Sequence, residues 1–136
     1  MMRAVAILAA LSGAASAQDL GSETLRGPSG VTYALHEMRF EPDGAYEAAR
    51  RTVRLRFVAP KLEDNIRYGF AVIEADFQAL CDEAAVPAAR KFAPNAREIV
   101  ISVASEPRPF GETAPNVVQY FDLFRFSGDT CIWEGL

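Results

Sequence analysis

Two cysteines, one histidine and a short row of arginines are the side chains with the most chemical reach in this sequence. A cysteine beside His36 could form a thiolate–imidazole pair for nucleophilic catalysis. Cys81, Cys131 and His36 could also supply three ligands of a zinc site, with the fourth coming from a carboxylate or water. The cysteines are not spaced C-x-x-C, so a thioredoxin-type redox centre lacks its motif. A Ser-His-Asp triad would have to use His36, and no G-x-S-x-G elbow exists to hold its serine. EF-hand, phosphate-loop and dinucleotide spacings are also missing. The expectation is therefore no catalytic residue, no metal and no cofactor.

The first residues set the redox context. MMRAVAILAALSGAASAQ has a positive start at Arg3, an apolar run over residues 4–11 and a small-residue site at Ala15-Ser16-Ala17. This order predicts a signal peptide over residues 1–17, cleaved after Ala17, and a periplasmic location. The apolar run is shorter than the roughly 20 residues a membrane span needs, so no membrane insertion is expected. An even cysteine count in an oxidising compartment predicts a Cys81–Cys131 disulfide. Closing a loop of about 50 residues would stabilise the fold by about 4 kcal/mol in the chain-entropy model. The net charge is −4, and Arg3 is the one charge in the predicted signal peptide, so the mature domain is more acidic still. With no clustered basic tail, nucleic acid is not an expected partner.

The elements that would position these groups follow from periodicity. Residues 18–30 are polar and rich in turn formers, and read as a flexible leader. Residues 31–40 are rich in β-formers, with Val31, Tyr33 and Leu35 on one face. Residues 52–60 alternate: Val53, Leu55 and Phe57 inward, Arg54 and Arg56 outward. Residues 66–74 read as a third strand, with Tyr68, Phe70 and Val72 on one parity. The period then becomes helical, as Phe77, Leu80, Cys81, Ala84 and Ala85 recur at i, i+3, i+4, i+7 and i+8. Asp76 is the predicted N-cap, and Pro87 ends or kinks the helix. Residues 98–105, 117–126 and 130–134 complete the strands, with 117–126 apolar on both parities and expected to be covered on both faces. The predicted fold class is a single α+β domain over residues 31–136 in the order β-β-β-α-β-β-β. It has a mostly antiparallel sheet, one helix on one face and one disulfide.

Two surfaces stand out on this frame. Arg54 and Arg56 share an outward face that Arg39 and Arg67 could join from neighbouring strands. Such a cluster binds a carboxylate, a phosphate or an acidic protein edge, or else forms cross-strand pairs with Glu37 or Glu74. The other surface is the proline-rich loop 106–116 (EPRPFGETAPN). There Phe110 is either an exposed aromatic anchor or folds back over the edge of the core. His36 shares its parity with Thr32, Ala34 and Met38 and completes the candidate binding residues Phe110, Arg54, Arg56 and His36.

Asp76-Phe77 with Leu80-Cys81, then Phe110-Gly111-Glu112, Gln119-Tyr120-Phe121 and Cys131-Ile132-Trp133-Glu134 give the chain a family likeness. It resembles an uncharacterised family of small exported Gram-negative bacterial proteins. The resemblance implies one exported domain with its cysteines paired, and it supplies no activity, substrate or catalytic residue. The functional expectation is a monomeric, non-catalytic periplasmic domain that binds or supports an envelope protein. Two alternatives are a small exported enzyme using His36 with the Arg54/Arg56 face, and an inhibitor of an exported enzyme acting through loop 106–116.

Overall fold

A computed structural model describes residues 23–135. The predicted signal peptide and the Ala17 cleavage site lie outside the described residues. Six strands form one sheet in chain order: β1 (Thr24–Arg26), β2 (Thr32–Glu41), β3 (Thr52–Val58), β4 (Glu98–Ala104), β5 (Gln119–Ser127) and β6 (Thr130–Trp133). Four of the neighbouring pairs are antiparallel, and β3–β4 is parallel. A parallel pair needs a long crossover, and the helical layer supplies it between β3 and β4.

That layer is one continuous helix with a defect. It comprises α1 (Phe70–Leu80), a π-helical segment (Cys81–Ala85) and α2 (Val86–Phe92). The proline expected to end or kink the helix lies inside it. Pro87 has no N–H, and its ring crowds the preceding turn. The π segment widens that turn, with the Val86 N–H bonding back to the Cys81 carbonyl, and the helix runs on to Phe92.

Four expectations need correcting. The strand predicted over residues 66–74 does not form: a turn leads to Gly69, which caps α1 from an extended conformation. Phe70, Ile73, Phe77 and Leu80 are spaced for a helix face, and that periodicity overrides the β-propensity of the segment. Ile66, at 93% exposure, has no core to join. Asp76 is not a cap but a buried residue in the middle of α1. The segment read as a leader over residues 18–30 contributes β1, because Thr24–Arg26 pairs with Thr32–Ala34. Strand β5 is not covered on both faces, since Phe121 is 52% exposed, whereas β4 is buried from Ile99 to Val103.

The core lies between the helix and one sheet face. Tyr33, Val53, Leu55, Phe57, Ile99, Ile101 and Phe124 meet Ile73, Phe77 and Leu80 there. The clasp forms as predicted: Cys81 and Cys131 are joined by a disulfide with their Cα atoms 6.1 Å apart. Side chains reinforce it. Asp82 accepts from the Cys131 N–H at 2.8 Å, and Gln78 donates to the Cys131 carbonyl at 2.8 Å. The helix thus satisfies polar backbone of an edge strand that would otherwise invite pairing with another chain. Trp133 shares the clasp's side, but its ring is exposed, with its indole N–H donating to buried Asp122.

A second polar node holds the first turn. Asp76 accepts from the Ser29 N–H at 2.9 Å, the Ser29 hydroxyl at 2.5 Å and the Tyr33 hydroxyl at 2.6 Å. Burial, then the bond to Asp76, pushes the Tyr33 hydroxyl pKa far above the ordinary tyrosine value. Gly27 passes so close that a Cβ there would lie 2.3 Å from the Asp76 carboxyl carbon.

Candidate functional site: the open sheet face and its loop

The face of the sheet opposite the helix is polar, and a β-bulge creates part of it. Leu35 pairs with Phe57 and Glu37 with Arg56, leaving His36 as the extra residue. Side chains alternate strictly along a strand, so one extra residue exchanges the faces. Before the bulge, Tyr33 and Leu35 point to the core; after it, Met38 and Phe40 do. Glu37, Arg39 and Glu41 are thereby turned onto the open face, opposite Arg56, Arg54 and Thr52. His36 itself is exposed and does not line the pocket formed by the arginines. Its expected common parity with Met38 is broken by the bulge.

Arg54 and Arg56 are brought together with Arg39, as anticipated. Arg67 is not: it sits in the turn before α1, where its backbone N–H donates to Asp64. Cross-strand pairing dominates the cluster. Arg54 donates to Glu41 through Nε at 3.0 Å and Nη2 at 3.5 Å. Glu37 accepts from Arg39 at 2.9 Å and also from Arg56 Nη1. Burial pushes the Glu37 carboxyl pKa upward, but the hydrogen bonds and charges of Arg56 and Arg39 outweigh it, and the net shift is downward.

Loop 106–116 folds back onto this cluster. Arg56 is only 8% exposed, and its Nη2 donates to the Arg108 carbonyl at 2.6 Å. The Phe110 ring lies under three guanidinium groups, with Arg39 Cζ 4.0 Å from the ring centroid, Arg54 at 5.3 Å and Arg56 at 5.5 Å. Such contacts are worth about 0.5–1 kcal/mol each where partly exposed. Phe110 therefore folds back, but onto the arginines of the open face and not over the edge of the core, and it remains 45% exposed. Between loop and sheet lies a pocket of about 300 Å³, walled by Phe110, Phe121, Arg54, Arg56 and Arg108 and floored by Ser102.

Sequence reasoning missed Arg108, Ser102 and Phe121. Ser102 was legible as the residue facing outward from β4 between Ile101 and Val103. The Arg108 contact spans 52 residues and leaves no local signal.

Fold and site together define a small α+β domain: one mixed sheet, one helical layer stapled by a disulfide, and a loop-covered polar face. Among the described residues no helix is long and apolar enough to cross a membrane. Nor is any group of three or more His, Cys, Asp or Glu placed to hold a metal. The chain belongs to a family of unknown function, DUF6497, whose model matches residues 6–136. No curated protein and no solved structure matches it.

Proposed function

We propose that the mature chain is a non-catalytic periplasmic domain that binds another envelope protein through its open face and loop 106–116. Residues 1–17 serve as its signal peptide, cleaved after Ala17, and the domain acts as a monomer. A buried disulfide suits an oxidising compartment. The observation that carries the docking reading is Phe110. The ring is held half-exposed by three guanidinium groups, next to an exposed Phe121. A preoriented aromatic anchor in a polar rim is the composition of a binding hot spot.

The rival readings receive less support. A His36 enzyme would need that side chain in the arginine pocket, and His36 sits exposed on the bulge instead. An inhibitor loop would have to project, whereas loop 106–116 lies down on the sheet, tied by Arg56. The test is recovery of partners from an envelope extract with wild-type, Phe110→Ala and Arg54→Ala proteins. A partner retained by wild type and lost with both variants is expected. Equal recovery by all three would overturn the docking reading.

A further inference from the structure

The pocket under the loop has unspent hydrogen-bond capacity, and its arginines contribute donors alone. Arg108 Nε is buried without a partner. The other two nitrogens of that guanidinium face Glu112 at 3.2 Å and Glu106 at 3.7 Å. Arg54 spends Nε and Nη2 on Glu41, leaving Nη1 without a partner among the described residues. Ser102 is 6% exposed at the pocket floor, and its hydroxyl is unpartnered among the described residues. The one carboxylate in the lining, Glu112, is already engaged by Arg108. A buried donor without an acceptor is rare in folded proteins, and Arg108 Nε, with unpartnered donors on Arg54 and Ser102 at the same cavity, calls for a ligand that accepts.

Charge narrows the class. Three arginines and one glutamate line the pocket, while Glu37 and Glu41 stand just behind the arginines. The lining's two excess positive charges are offset by Glu37 and Glu41, so the site suits a monoanion held by unpartnered N–H groups and disfavours the second charge of a phosphate monoester. Arginines also match the planar fork of a carboxylate. A cavity of about 300 Å³ is at the small end of ligand pockets, large enough for one residue-sized group. Phe110 and Phe121 would flank its apolar part.

We infer that this pocket binds a free carboxylate carried on a small apolar body, contributed either by an organic acid or by the C-terminal residue of a partner chain. The inference rests on the reading of this face as a binding surface and gives it a chemistry.

The test is a titration of the ¹⁵N-labelled mature domain, followed at the Arg Nε–Hε signals and the Phe121 amide. The probes are N-acetyl-phenylalanine, its methyl ester, an octapeptide ending in a free phenylalanine carboxylate, the same peptide amidated, and inorganic phosphate. Saturable shifts at Arg108 Nε–Hε with both acids are expected, with the ester and amide at least about tenfold weaker. Ser102→Ala and Arg54→Gln should each weaken the acids by about tenfold. Arg125→Gln, whose arginine pairs with Glu134 outside the pocket, should not. Tighter binding of the peptide identifies a chain terminus as the source, and equal binding identifies a small acid; both support the site. No saturable shift with any probe, an ester as tight as its acid, or phosphate tighter than carboxylate would overturn it. Failure here with partner recovery still dependent on Phe110 leaves the docking reading standing. Carboxylate binding with no partner recovered does the reverse.

Discussion

Arg56 reaches across 52 residues to donate to the backbone carbonyl of Arg108, and the same guanidinium holds Glu37. One nearly buried side chain therefore couples the loop to the bulged half of β2. Removing it takes one of the two arginine partners of Glu37 and frees the loop. Arg56→Ala should destabilise the domain by about 2–3 kcal/mol, measured by urea unfolding. Amide hydrogen exchange across residues 106–116 should rise at the same time. Unchanged exchange in the loop would show that Arg56 does not tie it down.

Glu37 should make this coupling sensitive to acid. The folded carboxyl holds its proton less tightly than the unfolded one, whose pKa is near 4.5. Its contribution is fully present above that value. As pH falls through the lower folded pKa, the unfolded state binds more protons and the contribution is lost. Acid titration of stability should therefore be shallower in Glu37→Gln than in wild type below about pH 4.5. Parallel curves would refute the role of the Arg56 and Arg39 pairs.

His36 should be dispensable, both as a side chain and as the extra residue of the bulge. His36→Ala should change stability by less than about 0.5 kcal/mol, as for an ordinary surface position. Deleting residue 36 should leave the domain folded. It joins Leu35 directly to Glu37, so the Leu35–Phe57 and Glu37–Arg56 pairs become consecutive, with Glu37, Arg39 and Glu41 still on the open face and Met38 and Phe40 still on the core face. An unfolded deletion variant, seen by circular dichroism, would contradict the bulge.

Asp76 should be needed for its acceptor capacity. Asp76→Ala leaves the Tyr33 and Ser29 donors short of partners and should cost about 3 kcal/mol, while Tyr33→Phe should cost about 1 kcal/mol. Gly27→Ala should be destabilising as well, because its new methyl group meets the Asp76 carboxyl. Thermal unfolding of the three variants checks the order.

How far the sequence foretold this structure depended on the range of each signal. The alternation Val53-Arg54-Leu55-Arg56-Phe57 is local, and it placed both arginines outward on β3 correctly. The cysteine pair is predicted by the even count and an expected oxidising compartment, and the bond is present. Residues 66–74 misled because Ile66, Tyr68, Phe70 and Val72 are β-formers. The helical spacing of Phe70, Ile73, Phe77 and Leu80 after Gly69 was the competing signal. The bulge also had a trace. Glu37, Arg39 and Glu41 continue the odd parity of Tyr33 and Leu35, and three charges cannot follow two core residues into the core. The partners of Asp76 and the loop carbonyl held by Arg56 are distant contacts with no periodicity, and only the fold brings them together.

The central claim, that the loop-covered face is where this domain docks, is tested most directly by site-specific photo-crosslinking in the envelope. The crosslinker replaces Phe121, which is exposed at the pocket, or Ile66, which is exposed in the turn before α1. The account predicts one discrete adduct from position 121 that is lost on adding Phe110→Ala, and none from position 66. No adduct at position 121, or the same adducts from both positions, would contradict it.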